Sequence, residues 1–363
     1  MAEQRPVVLV GGGTGGHIYP LVAVGEELLS RKIPFVFIGS RNSQEEKVIG
    51  DLKWKFYTVS AGKWRRYFTF SSFFLNIWDI MRNILGFFQA LSILARIKPK
   101  AVFCKGGYVA LPVVLAARFW GIKVVIHESD SVMGLTNRLA SRFADRVLTM
   151  FQVDTYPNKD DRFAQVGIPI RKGLRQAAKL KAPQKTRPII LVLPGSQGST
   201  KINSLVGEVL EPLLNKVDLV HMTGEADFAK YKQAREQLPE QLRSHYKVYS
   251  FIDRELPYYY QTADALICRA SATTLAEAAL FGKALYLIPL PTSASDHQAK
   301  NAQVLAKNKA AIVRRESELI GEKVLSDMMD LINNPAEMKR LGDNLKNYLN
   351  EDQSLDLIVR ELE

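Results

Sequence analysis

The 363-residue chain is 47% hydrophobic and 24% charged, enough apolar material for two cores and too even a mixture for a disordered or fibrous chain. Lys and Arg number 49 against 37 Asp and Glu, a formal net charge of +12. The two cysteines, Cys104 and Cys268, stand far apart without a CxxC pattern, so neither a zinc knot nor a disulfide framework is encoded. With a start (Met1 to Pro6) too short and polar for a secretion signal, the expectation is a protein of a reducing compartment.

In chain order, Pro6 to Val10 is an apolar run ending in glycines, the pattern of a strand buried on both faces. Leu21 to Leu29 has helical spacing, and Pro34 to Ile38 reads as a second buried strand. Between the first strand and the helix lies Gly11-Gly12-Gly13-Thr14-Gly15-Gly16-His17, which contains GxGxxG. Glycines there let the backbone approach a phosphate, and the following helix offers its N–H groups and positive dipole end. A dinucleotide site needs an acid at the end of the second strand, but that strand ends in Ile38-Gly39-Ser40, with only Arg41 keeping an NADP variant open. No GxxxxGK[ST] occurs, which disfavours a P-loop NTPase. A lone histidine is usually structural. His17, in a glycine turn near a positive helix end, is nevertheless expected to stay neutral and to suit general-base work.

From Leu52 to Lys105 the chain carries ten basic residues and one acid, Asp79, a local charge of +9, interleaved with Trp64, Tyr67, Phe68, Phe70, Phe73, Phe74, Trp78, Phe87 and Phe88. Arg66, Asp79, Arg82 and Arg96 leave uncharged gaps of 12, 2 and 13 residues, which argues against a membrane span. The stretch reads either as buried helices with basic ends or as an in-plane anchor, apolar side chains in the lipid interface and cations on anionic headgroups. Aromatics and cations also suit single-stranded nucleic acid, but Ile77, Ile80, Ile84, Leu85, Leu91, Ile93 and Leu94 favour lipid, and no nucleic-acid partner is expected.

Strands are further expected at Lys100 to Cys104, before Gly106-Gly107, and at Lys123 to Ile126, before His127-Glu128. Lys172 to Pro188 reads as a linker. The same grammar then restarts: Pro188 to Leu193 precedes Gly195-Ser196-Gln197-Gly198, and strands follow at Asp218 to Met222, Lys247 to Tyr249, Ala265 to Ile267 and Ala284 to Ile288. The fold class is α/β, two nucleotide-fold-like parallel-sheet domains facing across a cleft. Cys268 to Glu277 follows a strand, carries helix-capping Ser and Thr, and sets Glu277 in the first turns of a helix, where a carboxylate can hold both hydroxyls of a ribose; the plainer alternative is a surface helix charge. Gln298 and Asn301, three apart, suit sugar hydroxyls. No Asp-x-Asp occurs, so no metal site is expected, and phosphate charge falls to helix ends and to Arg171 or other cations.

The glycine loop 11–17, Gly106-Gly107-Tyr108, His127-Glu128 with Gly134-Leu135-Thr136-Asn137, Gly195-Ser196-Gln197-Gly198, Phe251-Ile252-Asp253 and Glu277 to Asn301 together resemble the MurG family, in family order from Val7 to about Ala311. These are peptidoglycan N-acetylglucosaminyltransferases of the two-Rossmann GT-B class. The resemblance implies inverting, metal-independent transfer of N-acetylglucosamine from its UDP donor, with no cofactor, to the C4 hydroxyl of the muramoyl sugar of lipid I, giving lipid II at the cytoplasmic face of the membrane. It implies a domain 1–171 for acceptor and membrane, a domain 172–344 for the donor, and a tail 345–363 packing back on the first.

On the donor side it points to Ile252 at the uracil through its backbone, Glu277 at the ribose, Ser196 and Thr273 at the diphosphate with Arg171 nearby, and Gln298 and Asn301 at the sugar. On the acceptor side it points to Thr14, Gly15, Gly16, Tyr108 and Asn137 at the acceptor's diphosphate and sugar, with His17 as base. Asp130 stands where many members have Asn and competes for that role. The 63–100 region matches where the family docks on anionic membrane. Alternatives are a transferase acting on a diacylglycerol lipid, a nucleotide-sugar epimerase, and a non-enzymatic membrane-surface module. The sequence does not encode an oligomeric state.

Overall fold

The computed structural model describes residues 4–13, 15–62, 70–195, 197–349 and 353–363, without the side chains of 70–74 and 294. The chain forms two units, Met1–Arg171 with Gln353–Glu363, and Lys172–Asp352.

In the first unit β1 (Val7–Val10), β2 (Phe35–Gly39), β3 (Phe56–Thr58), β4 (Ala101–Cys104), β5 (Lys123–Glu128), β6 (Arg146–Thr149) and β7 (Phe163–Gln165) pair in parallel in the order β3-β2-β1-β4-β5-β6-β7. Strand alternation splits β1 between two cores. Val8 and Val10 meet Ala90, Ile93 and Leu94 of α3 (Phe70–Ile97) and Val113 and Ala117 of α4 (Ala110–Phe119). Val7 and Leu9 meet Leu21, Val24 and Leu28 of α1 (Gly15–Ser30) and, from the other end of the chain, Leu355, Ile358, Val359 and Leu362 of the helix Ser354–Leu362. Both faces are covered, which is why this strand is apolar throughout.

The second unit repeats the plan with β8 (Ile189–Leu193), β9 (Asp218–Met222), β10 (Tyr246–Tyr249), β11 (Ala265–Cys268), β12 (Ala284–Leu287) and β13 (Ile312–Val313), parallel in the order β10-β9-β8-β11-β12-β13. In each sheet the order reverses beside the unit's first strand, at β1/β4 and at β8/β11. Open α/β sheets bind ligands beyond the carboxyl ends of the strands at such a switch point. Four turns therefore matter most: those after β1, β4, β8 and β11.

Two expectations are revised. Lys172 to Pro188 is no free linker, because it contains the helix Lys172–Ala178, with Leu174 buried and the carbonyls of Ala177 and Leu180 accepting from Gln261 Nε2 at 3.2 and 3.0 Å. The tail returns later than 345, since the helix Pro335–Leu349 belongs to the second unit, where Leu341 joins the core. Only Gln353–Glu363 joins the first unit, tied by ion pairs of Asp356 with Arg31 and of Glu361 with Arg146. Leu75–Ile97 is long and apolar enough to pass for a span by length and composition alone, which does not overturn the reading from charge spacing. In the fold this helix lies along α4, and its Ala90, Ile93 and Leu94 are core.

Candidate active site

At the first switch point the turns after β1 and β4 press together. Gly107 has φ +84°, and the Gly12 carbonyl occupies the space a Cβ would need, so only glycine fits. Behind the first turn sits Glu45, fully buried. Its Oε2 accepts the Gly13 N–H at 3.2 Å, and its Oε1 accepts the Ser40 hydroxyl at 2.7 Å and N–H at 3.3 Å. Ser40 Oγ is in turn 2.9 Å from the Tyr108 hydroxyl. The Gly13 N–H, which sequence reasoning offered to a phosphate, is thus already bonded to a carboxylate. Gly15 and Gly16 open α1, whose first-turn N–H groups have no intrahelical acceptor, and half-buried His17 follows in that turn. Thr14 lies outside the described residues.

The turn after β5 carries the other acceptor-side candidates. Glu128 is buried, and three N–H donors converge on it: Asp130 N at Oε1, Gly134 N and Asn137 Nδ2 at Oε2, each at 3.0 Å. Burial first, and the neighbouring Asp130 charge second, push its carboxyl above the usual range, while the hydrogen bonds and Lys105 act the other way. His127 donates from Nε2 to the Gly167 carbonyl at 2.6 Å; burial and the Lys105 charge hold its pKa well below 6.5, so it is a neutral brace. Asn137 Nδ2 also donates to the His127 carbonyl at 3.0 Å, so that this acceptor-side candidate fixes the turn itself. Half-buried Asp130 is held at its carbonyl by the Tyr156 hydroxyl, 2.9 Å away.

At the second switch point Gly198 has φ +83° and packs on the Thr223 carbonyl, drawing the turn after β8 against β9. Ser196 lies outside the described residues. Ser199 caps the helix Thr200–Glu208, accepting from Ile202 N at 3.4 Å, and its hydroxyl accepts from Arg269 Nη2 at 2.6 Å. Arg269, nearly buried just after β11, also donates from Nη1 to the carbonyls of Ile288 and Pro289 at 3.0 and 3.2 Å and pairs with Glu316. Asn203 donates to the Thr223 carbonyl at 2.8 Å and to Asp227 at 2.7 Å, and its Oδ1 faces His221 Nε2 at 3.0 Å. His221 Nδ1 lies 2.9 Å from the Tyr246 hydroxyl, and burial pushes the imidazole pKa down to about 3.

Ser271 caps the helix Ala272–Leu280, accepting from Thr274 N at 3.4 Å. Thr273 is half-buried in its first turn, and Glu277 follows in the next, only 7% exposed, with Oε2 accepting from the Tyr260 hydroxyl at 2.9 Å. Glu277 is therefore no surface helix charge. Ile252 is buried just after β10. Gln298 and Asn301, both buried in the helix His297–Lys307, bond to backbone: Gln298 Oε1 accepts from Leu290 N at 3.1 Å and Asn301 Nδ2 donates to the Ala270 carbonyl at 3.2 Å. Both brace loops bordering the switch point. Arg171 is the last residue of the first unit's main segment.

Residues 7–149 match the N-terminal domain of glycosyltransferase family 28, and residues 189–354 match its C-terminal domain. A protein of Citrifermentans bemidjiense, named UDP-N-acetylglucosamine–N-acetylmuramyl-(pentapeptide) pyrophosphoryl-undecaprenol N-acetylglucosamine transferase, is 34% identical over 94% of both chains. The crystal structure of Acinetobacter baumannii MurG is similar with a TM-score of 0.78 and 25% identity, covering 98% of this chain and 99% of that one.

The chain belongs to the MurG family.

It is accordingly a glycosyltransferase. A UDP-N-acetylglucosamine 2-epimerase structure is also similar, with a TM-score of 0.65 over 100% of this chain and 96% of that one, but at 12% identity the likeness is one of fold alone. Measured against the MurG family motifs quoted from the sequence, the structure adds Glu45 and Ser40 behind the first glycine turn, Lys105 and Ser129 beside Glu128, and Asn203, His221 and Arg269 in the second unit. Their sequence signal was slight, since a buried charge and an exposed one are spelled alike.

Proposed function

We propose that this glycosyltransferase moves N-acetylglucosamine from UDP-N-acetylglucosamine to the C4 hydroxyl of the muramoyl sugar in lipid I, with inversion and without a metal, forming lipid II. The observation that carries this reading is the match, along 94% of both chains, to a relative named for that donor and that acceptor. The chemistry of the second switch point supports it: a buried carboxylate, Glu277, suits a ribose diol. Two capped helix starts together with the Arg269 guanidinium suit a diphosphate.

The reaction is a single displacement. A base, His17 or in its place Asp130, removes the C4 hydroxyl proton as that oxygen bonds to the anomeric carbon. The bond to the diphosphate oxygen breaks with its electron pair, and UDP departs onto the helix N–H groups. Proton removal by a side chain and charge capture by fixed dipoles are separable contributions, so they can be tested one at a time.

The acceptor's lipid explains an otherwise costly surface. Leu75, Ile77, Trp78, Met81, Ile84, Leu85 and Phe88 of α3 are all exposed, and Phe119 and Trp120 at the end of α4 extend the apolar area. Basic Arg82, Arg96, Lys98 and Lys100 flank it. This face lies in the headgroup region of an anionic membrane on its cytoplasmic side, a peripheral attachment. Binding to anionic vesicles should weaken with salt, and equal binding to neutral vesicles at every ionic strength would remove the electrostatic part. The function itself is tested by offering UDP-N-acetylglucosamine with lipid I, or with a diacylglycerol, and identifying the product. Glycosylated diacylglycerol, or free sugar without a lipid product, would overturn the assignment.

A further inference from the structure

Lys105 closes the basic 52–105 stretch, yet it is 1% exposed. It leaves β4 directly into the Gly106-Gly107 turn, and its ammonium is hydrogen-bonded to Ser129 Oγ, between Glu128 and Asp130. A buried ammonium is costly unless an opposite charge compensates it. Here the compensation is mutual. Glu128 is a buried carboxylate whose contacts from Asp130, Gly134 and Asn137 all come from N–H donors, so its role in the turn requires an acceptor on both oxygens. Asp130 adds a second negative charge two residues away.

We propose that Lys105 is a positioning residue: its buried ammonium, bonded to Ser129 between two carboxylates, is the internal counter-charge of Glu128 and so fixes the loop that presents Asp130 and Asn137. Were Glu128 protonated, it would place an O–H among three N–H donors, and the turn from Glu128 to Asn137 would loosen. The groups facing Glu128 are few. Asp130 and neutral His127 lie on its own segment; from β4 come Lys105 and the Cys104 thiol, which burial pushes up to about 12; from β6 comes uncharged Thr149, its register partner. Asn137 of α5 (Leu135–Ala140) is uncharged, and the Tyr156 hydroxyl bonds the Asp130 carbonyl. Lys105 is the cation that acts on the buried Glu128 carboxyl from β4, so removing it should change the site's response to acid.

The loop's place in the reaction rests on the acceptor role proposed above for the first unit, so the test has two arms on the full-length protein. In the first, thermal unfolding is followed from pH 5 to 8.5 for wild type, Lys105→Met and Lys105→Met/Asp130→Asn. Lys105→Met should lower Tm more at pH 8 than at pH 5.5, where Glu128 can neutralise itself, and adding Asp130→Asn should shrink that difference. A loss of Tm equal at all pH values would mean lost packing only and would overturn the proposal. If Lys105→Met does not fold, Asp130→Asn alone decides: it should raise Tm more at pH 8 than at pH 5.5, and no pH-dependent change counts against the counter-charge.

In the second arm, the acid limb of kcat/KM for lipid I should move up by about one pH unit in Lys105→Met, with UDP affinity unchanged. An unmoved limb in an active variant would sink the positioning role. Failure of wild type to glycosylate lipid I would sink the functional reading instead, leaving the unfolding arm to judge Lys105.

Discussion

The two switch points share a backbone plan and differ in what stands behind the turn. In the first unit the glycine turn is backed by a buried carboxylate, Glu45, that accepts the Gly13 N–H, and a second buried carboxylate, Glu128, organises the neighbouring turn. In the second unit the corresponding turn is braced by the Asn203–His221–Tyr246 chain, with Asp227 on the Asn203 amide, and the cation reaching it is the Arg269 guanidinium, itself paired with Glu316. A negative group behind a ring of N–H donors lowers their pull on an anion, and a guanidinium raises it. One glycine pattern thus has two electrostatic settings. In the proposed reaction the second would receive the leaving diphosphate, and the first would lie by the hydroxyl that loses its proton to a base.

The comparison can be broken most decisively at the base. His17→Ala should lower turnover by about 10²- to 10⁴-fold while calorimetric UDP affinity stays as in wild type; unchanged turnover would pass the role to Asp130. Next in size is the donor carboxylate. Glu277→Ala should weaken UDP by roughly 30-fold, about 2 kcal/mol for a lost charge-assisted pair, and an unaltered Kd rejects the ribose assignment.

A matched pair of variants sharpens the contrast between the turns. Arg269→Met should weaken UDP about 10-fold, on the order of one charged hydrogen bond, and Glu45→Gln should leave UDP untouched; equal effects would mean that the two turns do not divide the work. The smallest effect concerns pH. The unfolded chain protonates His221 near its ordinary value of 6.5, but the folded chain resists until about 3, so stability falls as pH drops through that interval. His221→Gln should flatten this decline in acid unfolding curves; an undiminished slope would assign it to other groups.

Much of the scaffold was legible because a parallel strand covered on both faces must be apolar along its length, as Val7–Val10 and Ile189–Leu193 are. The strands left unread were mostly edges: Phe56–Thr58 and Phe163–Gln165 have three residues each, and Ile312–Val313 has two, too short for any period to show. Lys172–Ala178 passed for a linker because one leucine among cations and alanines carries no pattern, although that leucine is buried. At the sites, spacing set Gln298 and Asn301 on one helix, yet it could not show that their amides face loop backbone. Glu45 and Lys105 were silent for a deeper reason. Their meaning comes from residues brought beside them by strand order, such as Ser129 beside Lys105, and strand order is not written locally.

The last helix has a consequence for how the molecule is made. Leu355, Ile358, Val359 and Leu362 complete the same core as Val7 and Leu9. A ribosome delivers the beginning of that core first and its closing piece last, with the whole second unit in between. The earlier half must therefore wait, its apolar flank uncovered, until Leu355 to Leu362 have been made. Loss of the helix Ser354–Leu362 would injure the part of the protein that was translated first.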